Sequence, residues 1–197
     1  GGFKGMRGKK CWKRVTAVLM AFMMLVGLVM TNGITSEAYW YNSEGERYPN
    51  VGYRTHVQSK GWERKLTLNG RTSGTVGAGK RLEAIEVKLT GNRYYGGISY
   101  RTHVQTYGWE TSYKTMGQVS GTTGEGKRLE GIEIALTGNE YSGSIEYSTH
   151  VQSYGWMNEV SNGMMSGTSG QAKRLEAIRI RLKGEIANHY NICYRVH

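Results

Sequence analysis

One motif is copied three times along this chain, and the repetition constrains the fold more than any other feature. Histidine and tryptophan recur with a period of 47 residues, at His56, His103, His150 and at Trp62, Trp109, Trp156. Each copy also contains a Gly-Thr-x-Gly turn and a closing phrase that begins Lys-Arg-Leu-Glu. Periods of this size are typical of proteins in which one small unit buries its apolar face against its neighbours. We predict repeats at residues 51–97, 98–144 and 145–190, and the start of a fourth, cut short, at 191–197.

Within each copy the hydrophobic pattern predicts short strands. The opening phrase of the second copy alternates at Ile98, Tyr100, Thr102 and Val104, and the closing phrases alternate in the same way, as half-buried strands do. Leu129 is out of phase with the isoleucines after it, which predicts a β-bulge beside Gly131. Asn-Gly and Gly-Asn pairs separate the strands and favour turns.

These signals predict an all-β fold of tandem antiparallel units, each with three or four short strands. Three units around a common core close a pseudo-threefold prism or a trefoil-like barrel, which removes exposed sheet edges. An open stack of independent units is the alternative topology.

The first 38 residues have the composition of a helical signal peptide. A basic stretch from Arg7 to Arg14 precedes an uncharged apolar run, Val15 to Met30, and Ser36-Glu37-Ala38 suits cleavage after Ala38. Translation is predicted to start at Met6, and residues 39–50 to form a linker. An uncleaved membrane anchor is the alternative, but 16 apolar residues are fewer than the roughly 20 that span a bilayer. We therefore expect a secreted or cell-surface protein that meets the membrane only transiently, through its signal peptide.

The net charge limits the class of binding partner, and the cysteine content limits the disulfides that the fold can form. Without residues 1–38, the totals of 26 basic and 15 acidic residues fall to 20 and 14, a net charge of +6. This charge suits anionic wall polymers or acidic glycans; nucleic acid fits the charge but not the expected compartment. Cys193 is then the one remaining cysteine, so no internal disulfide is expected.

The repeated phrases resemble the clostridial hydrophobic repeats with a central tryptophan, the ChW repeats. The resemblance covers roughly Val51 to His197 and rests on the Tyr-x-x-His-Val-Gln-x-x-Gly-Trp phrase, the Gly-Thr-x-Gly turn and the Arg-Leu-Glu-x-Ile strand. It implies an exported protein of Gram-positive bacteria, in which such repeats accompany wall-degrading, peptidase or adhesion modules. Cell-surface adhesion or polysaccharide binding is the role the resemblance implies.

The motifs do not favour a nucleotide-binding site, a zinc site or a catalytic pair of carboxylates. Gly74 to Arg81 is similar to a phosphate-binding loop, but Arg81 stands where that loop needs Ser or Thr, and no helix follows. The three repeat histidines alternate with inward valines, so a structural role beside the tryptophan is favoured over a zinc site. The chain has no Asp, and each recurring Glu lies two residues from an Arg, which favours a structural ion pair over paired catalytic carboxylates. We predict no enzyme activity, no metal and no cofactor.

Binding is the better-supported role. The chain beyond residue 38 has 14 Tyr and 4 Trp but no Phe, and rings with a polar edge can stack on sugars while they donate hydrogen bonds. The repeat tryptophans are favoured as core anchors, with ligand contact as the alternative. Tyr113, without an aromatic counterpart at Leu66 or Val160, and the tyrosines that replace Lys60 are surface candidates. The candidate ligand-binding residues are Trp62, Trp109, Trp156, Tyr107, Tyr154, Gln58, Gln105 and Gln152. The structural repeat positions are Tyr53, Tyr100, Tyr147, His56, His103, His150, Glu83, Glu130 and Glu176.

The sequence therefore predicts a noncatalytic extracellular module that binds a cell-wall or other polysaccharide. One alternative is an adhesive module whose partner is a cell-surface protein. Another is a set of targeting repeats in a longer secreted hydrolase.

Overall fold

A computed structural model describes residues 50–90 and 96–187. Several predictions lie outside the described residues: the signal peptide, the start at Met6, the linker up to residue 49, the fourth repeat, and one of the Gly-Asn turns, at residues 91–92. No helix in the described ranges is long and apolar enough to cross a membrane.

Each repeat forms five strands, two long and three of two residues, where three or four were expected. The first repeat contains β1 (Asn50–Val57), β2 (Gly61–Trp62), β3 (Thr67–Leu68), β4 (Ser73–Gly74) and β5 (Leu82–Thr90). The second contains β6 (Gly97–Val104), β7 (Gly108–Trp109), β8 (Lys114–Thr115), β9 (Ser120–Gly121) and β10 (Leu129–Thr137). The third contains β11 (Ser144–Val151), β12 (Gly155–Trp156), β13 (Val160–Ser161), β14 (Ser166–Gly167) and β15 (Leu175–Lys183). A short 3-10 turn, Glu185–Ala187, follows β15.

The two long strands of each repeat pair antiparallel along their full length, β1 with β5, β6 with β10 and β11 with β15. The register shifts once in each pair: Val104 faces Leu129 while His103 faces Gly131, so Glu130 is the extra residue. The predicted bulge is thus confirmed, and it recurs at Glu83 and Glu176. Because a bulge breaks the alternation, four successive residues from Leu129 are buried.

The repeats exchange their fourth strands. β9 of the second repeat pairs with β5 of the first, β14 of the third with β10 of the second, and β4 of the first with β15 of the third. Each sheet therefore contains four strands of one repeat and one strand of another, and the exchange closes cyclically. Three separate sheets give a prism, and neither the open stack nor one continuous barrel agrees with this pairing.

The exchanged strand crosses its neighbour at a glycine in every case. A Cβ on Gly121 would lie 2.5 Å from the carbonyl oxygen of Glu83, and its φ is 96°. Gly74 and Gly167 have the same conformation and the same close approach. A side chain at these positions would be strained by both the backbone angle and the contact, which explains why the Gly-Thr-x-Gly turn recurs.

Buried tyrosines tie the repeats together in the same cyclic order. The hydroxyl of Tyr100 accepts a hydrogen bond from the backbone N–H of Val87 at 3.1 Å and donates to the carbonyl of Gln118. Tyr147 makes the equivalent bonds to Ile134 and Met164, and Tyr53 to Ile180 and Arg71. Burial raises the pKa of all three hydroxyls to about 12, because the phenolate would be desolvated.

One apolar core lies between the sheets. It contains inward residues from the long strands of all three repeats, including the three tyrosines and Ile85, Ile132 and Ile178. The strands β6 and β11 alternate strictly between buried and half-buried residues, as the period of two requires.

The third repeat is one residue shorter between its tryptophan and the third strand. Val160 faces Tyr147 as Lys114 faces Tyr100. Val160 is therefore the counterpart of Lys114, and the assignment of Val160 as the counterpart of Tyr113 was wrong by one position. The one-residue deletion lies in the loop, where it leaves the strand pairing intact.

Candidate functional site

A buried glutamate at each bulge joins an arginine and a histidine. Glu130 Oε1 accepts a hydrogen bond from Arg128 Nε at 2.8 Å, and its Oε2 lies 3.2 Å from His103 Nδ1. Equivalent clusters are formed by Arg81, Glu83, His56 and by Arg174, Glu176, His150. The ion pair expected from the Arg-x-Glu spacing is thus present in each repeat. A carboxylate with 5–7% of its side chain exposed needs this pairing, because an isolated buried charge is costly.

The histidine contacts are close but not aligned as hydrogen bonds. Although each Nδ1 lies 3.0–3.2 Å from a carboxylate oxygen, no acceptor lies along its N–H direction, so the atom is buried without a hydrogen-bond partner. The geometry is therefore that of a close polar contact without hydrogen-bond alignment.

The repeat tryptophans are half-buried and lie outside the apolar core. The edge of the His103 ring meets the Trp109 ring at a centroid distance of 5.5 Å and an angle of 83°, and Arg101 lies over the same ring at 5.2 Å. A Cβ on Gly131 would be 3.4 Å from Trp109, which places the indole across strand β10. The favoured interpretation of these tryptophans as core anchors is therefore wrong: they pack on the outside of the sheets, between charged side chains.

The arginine over the tryptophan is retained in every repeat, although its position in the sequence changes. In the first repeat Arg54 lies over Trp62 at 5.1 Å and pairs with Glu86 on the facing strand. The third repeat has Ser148 opposite Arg179, and Arg179 lies over Trp156 at 4.1 Å. The cation therefore comes from the other strand, and the Arg-Trp stack is kept.

Two hairpin tips carry exposed tyrosines. Tyr107 is 63% exposed, its hydroxyl donates to Glu125 Oε2 at 2.8 Å, and Lys127 Nζ lies over the ring at 5.4 Å. Tyr154 is 54% exposed. Its hydroxyl donates to Gln171 Oε1 at 3.0 Å, and Lys173 Nζ lies over its ring at 5.7 Å. We call each group of tyrosine, acceptor and lysine a tyrosine tip.

Left-handed residues set the direction of both tips. Thr106 has φ of 68° and Ser153 has φ of 70°, at the position before the tyrosine. Positive φ is uncommon outside glycine, above all for a β-branched residue such as threonine. The hydrogen bond from the tyrosine N–H to the carbonyl of Val104 or Val151, at 3.1 Å, closes the turn and holds this conformation.

The first repeat lacks a tyrosine tip. Lys60 replaces the tyrosine, and the loop residue that supplies the acceptor elsewhere is Ala78. Beside Lys60 is an open depression of about 310 Å³, lined also by Trp62, Arg64 and Thr75. The hydroxyl of Thr75 is buried without a hydrogen-bond partner.

The structure separates the predicted binding residues into two groups. Tyr107 contacts the loop of Glu125 and Lys127, whereas Trp109 contacts His103 and Arg101, so the rings have different partners. Gln58 and Gln105 accept long bonds, 3.5 and 3.4 Å, from the N–H groups of Arg81 and Arg128. These two glutamines hold the start of the closing strand. Gln152 is half-buried, and its backbone N–H bonds to Arg174.

Tyr113 is exposed, as expected of a surface candidate, but its ring is engaged. Arg101 lies 4.7 Å from the ring centroid, and the hydroxyl donates to Glu133 at 3.0 Å. Arg101 is thus held between Tyr113 and Trp109.

Sequence reasoning missed the residues that position the aromatic rings. Glu125 and Gln171 hold the tip tyrosines, but they differ in type and share no motif.

Glu63, which sequence reasoning also missed, accepts hydrogen bonds from the backbone N–H groups of Thr55 and Gly74. Glu110 accepts the equivalent bonds in the second repeat. One signal was present: the Gly-x-x-Lys spacing after the Gly-Thr turn places Lys127 and Lys173 over the tyrosines of the two tips.

Within the described ranges, no three His, Cys, Asp or Glu side chains are grouped so that they can hold a metal ion. In particular, each repeat histidine contacts the tryptophan and glutamate of its own repeat.

Comparison with known proteins identifies the repeat. No curated protein and no solved structure matches the chain significantly. The profile of the family described as Clostridial hydrophobic W matches residues 56–91, 103–138 and 150–184, together more than half of the chain. Each match begins at the repeat histidine and includes the tryptophan, the glycine turn and the bulged closing strand. The chain therefore belongs to the clostridial hydrophobic W (ChW) family, with three tandem repeats.

Proposed function

We propose that this protein is a noncatalytic, extracellular or cell-surface binding module whose ligand is a polysaccharide. The observation that carries the proposal is the pair of tyrosine tips. Among the described tyrosines, Tyr107 and Tyr154 are the most exposed, at 63% and 54%. The hydroxyl of each is held by a side-chain acceptor.

A held ring is suited to sugar binding for an energetic reason. Binding immobilises side chains at a free-energy cost, and a ring already fixed by its hydroxyl has little freedom left to lose. Flat rings with a polar edge stack on the apolar face of a pyranose and donate or accept hydrogen bonds at the rim. Two such rings on one closed prism can contact one polymer at two points, which raises the overall affinity by avidity.

A glycan array tests the proposal. The protein should bind at least one class of polysaccharide, and Tyr107→Ala combined with Tyr154→Ala should reduce that binding by about a hundredfold, since a lost aromatic contact is worth about 1–1.5 kcal/mol per ring. Tyr113→Ala is the matched control, because Tyr113 is exposed but its cation, Arg101, is paired with Glu133 and also contacts Trp109; the binding of this variant should change less than about threefold. Unchanged binding by the double variant contradicts this site.

A protein partner is the second candidate, and one observation favours it. Met116, Val119, Met164 and Met165 are large apolar residues that are 42–59% exposed, and exposed methionines are common on surfaces that bind proteins. Partners captured by the wild-type chain that resist glycosidase treatment, and are lost with Met164→Ser and Met165→Ser, support this candidate.

A further inference from the structure

The two tyrosine tips carry cations that the structure leaves uncompensated. Two of the arginines that lie over a repeat tryptophan are paired with carboxylates, Arg54 with Glu86 and Arg101 with Glu133. By contrast, among the described residues no carboxylate lies within ion-pairing distance of Lys127 or Lys173. Each of these lysines instead lies over the ring of the tip tyrosine.

The tips also vary as a unit within this one chain. Where the tip residue is tyrosine, the facing loop supplies an acceptor, Glu125 or Gln171. Where the tip residue is Lys60, the facing loop has Ala78. A ring and its acceptor that are present together, or absent together, indicate that the orientation of the exposed ring matters.

We infer that each tyrosine tip binds one acidic sugar unit, so that the ligand is an anionic polysaccharide contacted by the second and third repeats. The inference rests on the proposed function and names its substrate class. The sugar ring stacks on the exposed tyrosine, and the carboxylate of a uronic acid meets the lysine ammonium. Lysine is suited to this role, because its flexible stem lets the ammonium leave the ring face and turn to the carboxylate on binding.

Among the described residues, these tips combine an exposed, held ring with a cation that forms no ion pair. Gln171 is neutral, whereas Glu125 keeps its negative charge while it accepts the Tyr107 hydroxyl; in the part of the chain that the structure describes, neither forms an ion pair with the lysine of its tip. Lys60 supplies charge at the first tip without a ring. We therefore expect two contacts with a repeating polyanion, one from each tyrosine tip, and the stronger of the two at Tyr154, because its tip contains no carboxylate.

Polygalacturonate and its fully methyl-esterified form test the inference, because they share a backbone and differ in charge. At low ionic strength the protein should bind polygalacturonate about tenfold more tightly than the ester. Lys127→Gln with Lys173→Gln should lower the affinity for polygalacturonate to that for the ester and leave ester binding unchanged. The charge-matched control is Arg71→Gln with Lys88→Gln, two exposed cations outside the tips, and it should change binding less than about threefold.

A gain of function tests the same unit. Lys60→Tyr with Ala78→Glu builds a third tyrosine tip opposite Lys80, and should raise the affinity for polygalacturonate about threefold or more by avidity. Non-specific attraction predicts the opposite, because this pair of changes makes the protein more negative by two charges. Lys60→Tyr alone should gain less, since its hydroxyl lacks the acceptor.

The outcomes separate the inference from the proposed function. Equal affinity for the two polymers, no effect of the lysine substitutions, or no gain from the third tip overturns the inference. If neutral glycans on the array are still bound, the proposed function stands without it. A wild-type protein that binds neither polymer, nor any glycan on the array, overturns both.

Discussion

Replacing Tyr53 by phenylalanine tests whether the first and third repeats truly meet. The Tyr53 hydroxyl accepts a hydrogen bond from the N–H of Ile180 at 3.0 Å and donates to the carbonyl of Arg71. Tyr100→Phe and Tyr147→Phe are matched variants, because those hydroxyls make the same bonds between consecutive repeats. In an open stack, by contrast, the first repeat would have no partner at this position.

The magnitude follows from the burial of the groups left behind. Tyr53 and Ile180 are both fully buried, so the phenylalanine variant leaves a backbone N–H without an acceptor. An unsatisfied buried donor costs about 1–3 kcal/mol, and we expect a loss of about 2 kcal/mol in the free energy of unfolding for each variant. With a urea dependence of about 2 kcal/mol per molar, the midpoint of unfolding should fall by about 1 M.

Urea unfolding followed by circular dichroism measures the effect, and the comparison among the three variants carries the argument. Equal losses for all three support a closed prism. A loss for Tyr100→Phe and Tyr147→Phe with none for Tyr53→Phe would refute the closure of the ring, since the Tyr53 hydroxyl would then lie in water.

Two further predictions concern glycine and pH. Gly131→Ala should be neutral or stabilising by about 0.5 kcal/mol, because the other repeats have Ala84 and Ala177 there; the added Cβ lies 3.0 Å from the Thr168 carbonyl oxygen, a tight contact that needs a shift of a few tenths of an ångström. Gly121→Ala should cost about 3 kcal/mol or more, because its Cβ would lie 2.5 Å from a carbonyl oxygen at positive φ. Thermal unfolding that ranks the two variants in the reverse order would contradict this. The hydroxyls of the three buried tyrosines have a pKa of about 12 in the folded protein and ionise near pH 10 in the unfolded chain. Their contribution to the free energy of unfolding is therefore complete below pH 10 and is lost as the pH rises towards 12. At pH 11 the loss should be about 1.3 kcal/mol per tyrosine and about 4 kcal/mol in total; an unfolding midpoint in urea that is the same at pH 9 and pH 11 would show that the hydroxyls are not buried.

The long strands and their bulge were predictable from the sequence, because both leave a periodic signal. Ile98 to Val104 alternate over seven of the eight residues of β6, and the odd spacing after Leu129 marks the extra residue at Glu130. Burial then follows from the pattern, since one face of each strand must meet the common core.

The exchange of β4, β9 and β14 was not predictable, because a strand of two residues has too few positions to show alternation. The surroundings of the tryptophans were also missed. A Gly-Trp pair repeated three times is compatible with a core position or a surface position, and the choice is made by charged residues far away in sequence. Arg179 illustrates this: it stacks on Trp156 from the strand opposite the one that supplies Arg101 to Trp109.

The cyclic exchange of short strands has a consequence for how such a protein can grow. In a linear array, one unit can be gained or lost at an end at the cost of one contact surface. Here Ser73 of the first repeat pairs with Ile178 of the third. Removing any single repeat therefore has two effects: one remaining sheet loses its fifth strand, and the exchanged strand of another remaining repeat loses the sheet with which it pairs. Folding is then expected to be all-or-none across the three repeats. The pairing of β4 with β15 is the most distant in sequence, so its formation costs the most chain entropy.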